Sequence, residues 1–221
     1  MIYIFIKKMK LKIIKKIYEE EDKIKDKIIM IKNNKMMNVI DIGSHNGKTK
    51  NPTYKYLDNP KYQVYHIEAN INMKEDLDKL NSIKSFCAIS DFNGEGKLYF
   101  DKRGFLSRQK GEKLNKKKGM RNSLEKDNTY LNSFLTDEYC EVQVKTLDTL
   151  LSDLDITSIE LLKIDTEGTD YKILKKYSFN IKPKKIITED FFQTNKDKYT
   201  LLKSKGYKLK HKNLSDSTWI L

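Results

Sequence analysis

The stretch Val39-Ile-Asp-Ile-Gly-Ser-His-Asn-Gly47 decides the reading of the fold. An apolar, β-branched run ends in an acidic residue and enters a glycine-bounded turn, the pattern of a strand delivering a cofactor loop. Gly43 and Gly47 permit close backbone approach, and the N–H groups at a following helix terminus can bind a carboxylate. The dinucleotide fingerprint G-x-G-x-x-G is not met. Asp41, two positions before Gly43, would repel a pyrophosphate but suits a cationic amino-acid ligand. Ser44, His45 and Asn46 complete the loop as candidate cofactor contacts.

Outward from this strand, taken as Asn38 to Ile42, short β-branched runs alternate with helical segments, the sequence form of a βαβ architecture. A short helix is expected over Thr53 to Leu57, strand two over Gln63 to Glu68, a helix over Asn72 to Leu80 and strand three over Ile83 to Ile89. The Asn93-Gly-Glu-Gly96 turn predicts a local hairpin with Lys97 to Phe100. Residues 102 to 138 read as a long loop where a substrate cover could lie. Further strands are expected at Val142 to Thr146, Ile159 to Asp165 and Lys185 to Glu189. Helices should begin near Asp148 and span Thr169 to Tyr177 and Lys196 to Lys205. A closing pair, Tyr207 to Lys210 with Thr218 to Leu221, ends the domain.

Two further segments carry chemistry. In Tyr65-His-Ile-Glu-Ala-Asn70 the second strand ends on Glu68, where a carboxylate can accept both hydroxyls of a ribose. In Leu161-Leu-Lys-Ile-Asp-Thr-Glu-Gly168 a buried-strand pattern delivers Lys163, Asp165 and Glu167 to the sheet edge at which open α/β sheets bind ligands. These charges are costly unless paired or used, so the block reads either as a functional cluster or as a structural ion pair and helix cap. Glu189 ends the run Ile186-Ile-Thr-Glu189 at the same edge, with Phe191 and Phe192 behind it as pocket wall or core. His66 and His211 read as structural or surface residues.

These segments, in this order, resemble the FkbM family of methyltransferases. The resemblance runs from about Val39 to Glu189 and includes Cys87-Ala-Ile-Ser90 with its following Asn-Gly turn, Thr146-Leu-Asp148, and the block from Lys163 to Gly168. It departs from the family at Ala69, where proline is common, at Asp170, where glutamate is common, and at Ser44-His45, which replace a pair of small residues. The resemblance implies a Rossmann-like α/β domain. Its seven-stranded sheet would be mostly parallel with an antiparallel C-terminal strand, would bind S-adenosylmethionine and would transfer methyl to oxygen, often on sugars or natural products. Asp41, Gly43, Ser44, His45, Asn46, Gly47, Glu68, Ala69, Asn70, Ala88, Ile89 and Asp165 are then the expected cofactor contacts. For removal of the hydroxyl proton Asp165 comes first, with Glu167, Glu189 and His45 behind it and Lys163 as their charge partner. Mg²⁺ suits the carboxylates without being required by them.

Composition bounds the remainder. The 221 residues suit one enzymatic domain, taken as 38–221, after a Lys- and Ile-rich extension over 1–37. In that extension Ile13, Ile17, Ile24, Ile28 and Ile31 recur at helical spacing. The expected amphipathic helix is packed on the domain or on a partner, in preference to a peripheral membrane surface, because Glu19, Glu20, Glu21 and Asp22 interrupt its basic face. The net charge of +13 raises nucleic acid as a partner. Nearly all of that charge is lysine, with arginine only at 103, 108 and 121, which weakens sequence-specific recognition and favours a small or carbohydrate acceptor. The competing activities are methylation of an RNA ribose 2′-hydroxyl and a non-catalytic, cofactor-binding scaffold. Cys87 and Cys140 lack metal-ligand or disulfide spacing, and the apolar start is too short for a signal or a membrane span, so a cytoplasmic location is expected.

Overall fold

The computed structural model describes residues 13–25, 36–102, 121–126, 133–190 and 195–221. Among the described residues ten strands form two sheets. The larger contains β1 (Met37–Ile42), β2 (Tyr62–Ile67), β3 (Ile83–Ser85), β7 (Leu161–Ile164), β8 (Lys185–Glu189), β9 (Lys208–Lys212) and β10 (Asp216–Ile220) in the order β3-β2-β1-β7-β8-β10-β9. The first five are parallel, and β10 runs antiparallel to both β8 and β9. The chain therefore builds outward from β1 to β3 and then crosses back to β7. The β1/β7 boundary is the place where an open α/β sheet leaves a crevice at its carboxyl edge.

Apolar residues on both faces of the central strands make the sheet a buried layer. Ile40, Ile42, Leu162 and Ile164 face a core completed by α3 (Leu147–Asp153), α4 (Asp170–Lys176) and the C-terminal Tyr207 and Trp219. Val39, Val64 and Leu161 face the opposite way, onto Met73 and the short α2 (Lys74–Asp78). The last helix, α5 (Asn195–Ser204), sends Leu202 into the larger core. Strand alternation accounts for this division and also aligns Asp41 and Lys163 with the smaller core.

The second sheet, in the order β4-β6-β5, consists of β4 (Ala88–Ile89), β5 (Gly94–Asp101) and β6 (Leu135–Lys145). It corrects three expectations. The run Ile83 to Ile89 is two strands, because the chain leaves the main sheet after Ser85 and Ala88 pairs with Val144 instead. The turn at Asn93 does not open a local hairpin, since all of β5 pairs antiparallel with the distant β6. β6 also begins inside the expected 102–138 loop and is much longer than Val142 to Thr146. Its first half is largely exposed, so it lacks the hydrophobic alternation by which strands are recognised.

The motifs Asn93-Gly94 and Thr146-Leu-Asp148 have structural roles. Asn93 Oδ1 accepts the Thr146 N–H at 2.8 Å, and Thr146 Oγ1 caps α3 by accepting from Thr149 N at 3.3 Å. Asp148 accepts from the backbone and hydroxyl of Ser178, tying α3 to the segment after α4.

Residues 13–25 form α1. Ile13, Ile17 and Ile24 remain 53–57% exposed, so of the two places expected for this helix, the domain or a partner, the domain does not cover its apolar face over 13–25. Glu20, Lys23 and Ile24 line a groove shared with Leu57 to Pro60, Tyr62 and Asn81. Ile28 and Ile31, like Phe191 and Phe192, lie outside the described residues. Among the described residues no helix is long and apolar enough to cross a membrane, and no disulfide joins Cys87 and Cys140.

Candidate active site

Parallel pairing sets Asp41 beside His66 on one flank and Lys163 on the other, making one cross-strand row of charged and polar groups inside the sheet. Asp41 is fully buried. Its Oδ1 accepts from Lys163 Nζ at 3.0 Å, while its Oδ2 accepts from Asn51 Nδ2 at 2.7 Å and Thr53 Oγ1 at 2.8 Å. Burial by itself would raise the Asp41 pKa, but Lys163, His66 and these two donors outweigh it and hold the carboxyl below its usual range. Burial also opposes the charge on Lys163, yet Asp41 and Asp165 together raise its pKa above the ordinary lysine value. His66 Nδ1 lies 2.8 Å from Ser82 Oγ, and burial holds the ring's pKa down. The row is a structural brace under the β1 loop.

Above the row the chain turns at Gly43, with φ +72°. A Cβ there would meet the carbonyl oxygen of Asp165 at 1.9 Å, so only glycine lets the β1 loop cross the end of β7. Gly47 is favoured by its φ of +68°; a Cβ there would come within 2.5 Å of Leu80 Cδ1, a side-chain end that can yield where the Asp165 carbonyl cannot. Asn46 Oδ1 accepts from the backbone N–H groups of Lys48 and Thr49, and Asn70 Oδ1 caps the short 3-10 helix Ile71–Met73 through Asn72 N. Ser44 is buried and its Oγ makes no hydrogen bond among the described residues. Ser44, Asn46 and Gly47 belong to the β1 loop and Asn70 to the turn after β2, and none of the four lines the cleft.

The cleft encloses about 560 Å³, including its open mouth. The ends of β1 and β2 contribute Gly43, His45, Glu68 and Ala69, β4 contributes Ala88 and Ile89, and the turn after β7 contributes Asp165 and Glu167. Eight of the expected site residues thus meet around one cavity. Asp41 and Lys163 lie beneath it. Glu68, only 8% exposed, spends Oε2 on His45 N at 2.7 Å and Oε1 on Asn70 N at 2.8 Å. Burial raises its pKa against the pull of those two N–H donors.

At the β7 end the extended geometry stops. Lys163 reaches Asp165 Oδ2 at 3.2 Å as expected, but Glu167 has φ +52° and turns out of the strand direction. The turn is fixed by Asp170, whose Oδ1 accepts from Thr166 N at 3.0 Å and Thr166 Oγ1 at 2.6 Å and whose Oδ2 accepts from Glu189 N at 3.0 Å. Glu189 does not line the cleft, yet one carboxylate oxygen from each of Asp165, Glu167 and Glu189 lies within 4.8 Å of the others. Burial pushes the Glu167 carboxyl up to about 8, with Asp165 and Asp170 adding to the rise and Arg121 opposing it. Burial and the three neighbouring acids push Glu189 up to about 10, against Lys198.

Several contributors were not legible in the sequence. Asn122, Ser123 and Leu124, from the expected 102–138 loop, line the cleft. Ser123 pairs with Tyr99 of β5 and donates to the Glu167 carbonyl at 2.7 Å, so this short segment is held across the cavity. Asn51 and Thr53 carry no signal beyond their polarity, and their importance follows only from their reach to Asp41.

The family model described as the methyltransferase FkbM domain matches residues 41–209. No curated protein matches the chain. Among solved structures, the methyltransferase FkbM from Methylobacillus flagellatus KT is 12% identical with a TM-score of 0.49, over 85% of this chain and 44% of that one. This chain therefore spans less than half the length of that protein. The precorrin-6y C5,15-methyltransferase from Geobacter metallireducens GS-15 is 10% identical with a TM-score of 0.40, over 84% of this chain and 82% of that one. The family match spans most of the chain, from the Asp41 brace through the carboxylate edge: this protein belongs to the FkbM methyltransferase family.

Proposed function

We propose that the protein is an S-adenosylmethionine-dependent O-methyltransferase acting on a hydroxyl of a sugar, a glycan or another small polar acceptor. The observation that carries this reading is Glu68 in the cleft wall. Each of its oxygens already accepts one backbone N–H. A carboxylate oxygen accepts more than one hydrogen bond, so both can also take a hydroxyl of a ribose. Ile67, Ala88, Ile89, Leu98 and Leu124 give the same cavity an apolar slot for a base. The N–H groups of Gly43 and His45 are spent on Ile67 and Glu68, so the loop meets an amino-acid end through carbonyl oxygens that can accept from its ammonium, above a carboxylate brace that keeps the loop in place. The donor set fits the cofactor.

When bound, S-adenosylmethionine supplies an electrophilic methyl group on a cationic sulfonium. The chain's part is to align an acceptor oxygen with that methyl and to take its proton. Alignment of this kind is worth roughly 7–11 kcal/mol, and a positioned base adds on the order of 10²- to 10⁴-fold. Asp165 and Glu167 both face the cleft beside its loop wall, which makes them the acceptor-facing groups. Asp165 is held by Lys163 and suits orientation of the hydroxyl. With no cation beside it, Glu167 has its pKa raised to about 8 and suits removal of the proton near neutral pH.

The test is release of S-adenosylhomocysteine from S-adenosylmethionine in the presence of sugar and glycan acceptors, with RNA oligonucleotides in parallel. The expected result is acceptor-dependent release that drops at least a hundredfold in Asp165→Asn. Release with RNA alone would move the acceptor to a ribose hydroxyl, and cofactor binding without release on any acceptor would leave a binding protein.

A further inference from the structure

The turn after β7 and the end of β8 bring three carboxylates together with too little positive charge to balance them. Asp165, Glu167 and Glu189 each place an oxygen within 4.8 Å of the other two. Like charges this close in a partly dehydrated site repel strongly unless a proton or a cation lies among them. The nearby lysines are shared or committed. Lys163 serves Asp41 as well as Asp165, and Lys198 bonds the Glu189 backbone carbonyl and pairs with Asp190 at 3.1 Å.

A second observation is independent of the clustering. Glu189 is only 9% exposed, its carboxylate reaches into the cluster, and its Oε2 makes no hydrogen bond among the described residues. A buried carboxylate oxygen without a donor is expensive, and native structures seldom leave one without a proton or ion to meet it. The arrangement is also built rather than incidental. Asp170 holds Thr166 through one oxygen and the Glu189 N–H through the other, fixing the two chain segments that carry the cluster relative to each other.

We propose that Asp165, Glu167 and Glu189 bind one divalent, oxygen-seeking cation of the Mg²⁺, Mn²⁺ or Ca²⁺ class. Hard oxygen donors without histidine or cysteine select this class over zinc or copper. Opposed ligands stand roughly 4.6–5.2 Å apart on Ca²⁺ and roughly 4.0–4.2 Å apart on Mg²⁺. Oxygens that lie within 4.8 Å of one another are compatible with either ion. Placing this cation beside an acceptor hydroxyl, whose pKa it would lower, rests on the function proposed above; the cation site itself does not.

The experiment is titration of the EDTA-treated protein with Mn²⁺, followed by the loss of the free-ion EPR signal, with Mg²⁺ and Ca²⁺ as competitors. The expected result is one Mn²⁺ per chain with micromolar affinity. Glu189→Gln and Glu167→Gln should each weaken it at least tenfold, with folding checked by circular dichroism. If Glu189→Gln does not fold, Glu167→Gln on the cleft wall carries the comparison. No Mn²⁺ bound by the wild type, or equal binding in the variants, overturns the site. S-adenosylhomocysteine binding measured separately in EDTA keeps the two readings apart: cation binding without it would sink the cofactor reading alone, and the converse would sink the cation site alone.

Discussion

Two sets of carboxylates occupy the same edge of one sheet and are treated in opposite ways. Asp41 sits in the middle of the sheet, fully buried, and every strand around it contributes something: Lys163 a full charge, His66 a ring, the loop beyond β1 two neutral donors. Glu167 stands on the cleft wall and Glu189 behind it, both less deeply buried than Asp41 and with no comparable compensation. The difference separates two uses of charge. A buried carboxylate that is fully satisfied braces a loop, whereas carboxylates left short of partners at a cleft are available for protons, cations and substrate hydroxyls.

The largest effect should come from removing the charge that balances Asp41. Lys163→Met strands a buried carboxylate and should cost about 3–5 kcal/mol in urea denaturation, with part of the loss recovered when Asp41→Asn is added. A loss under about 1 kcal/mol would break the comparison, because it would mean that Asp41 does not depend on its partner. Gly43→Ala comes next. Its Cβ would run into the Asp165 carbonyl, and overpacking of this kind costs about 1–3 kcal/mol, with cofactor affinity falling alongside stability.

The two sets should also part company with pH. The Asp41 pKa is depressed in the folded state, so its contribution is present above the unfolded value of 3.8 and is lost as pH falls through the folded one. Glu167 and Glu189 behave in the opposite sense. Their folded values, about 8 and about 10, lie above the ordinary 4.5, so the folded protein holds more protons than the unfolded chain. Their contribution is present at low pH and is lost as pH rises toward those values. Cation-free protein should therefore melt at progressively lower temperature from pH 5 to 8, and the trend should flatten in Glu189→Gln. The smallest effect is the stability of Glu189→Gln itself at neutral pH, expected within about 1 kcal/mol of wild type without added cation because the amide replaces a carboxyl that is already protonated.

The brace and the cleft were unequally legible in the sequence. Strand β1, its glycine loop and the acid ending β2 could be read directly, because apolar runs ending in Asp or Glu and then glycine have few structural meanings. The pairing of Asp41 with Lys163 required the crossover that sets β7 beside β1, a long-range fact that local patterns do not contain. The second sheet was hidden for a related reason: exposed positions in β6 erase its alternation, and its partner β5 lies beyond a long connection. Glu167 was expected to continue the strand alternation beyond Asp165, but its positive φ turns it into the cluster by another route. Ser123 and Leu124 came from a segment without periodicity, and only the bridge from Ser123 to Tyr99 shows why it crosses the cleft.

The most direct test of the central claim is calorimetric titration of the wild type and Glu68→Ala with S-adenosylhomocysteine, each checked for an unchanged fold. The account predicts micromolar binding, about −8 kcal/mol, and a loss of at least tenfold in the variant as the charged acceptor of the ribose hydroxyls disappears. No binding by the folded wild type, or equal affinity in Glu68→Ala, would contradict the assignment of this cleft to the cofactor.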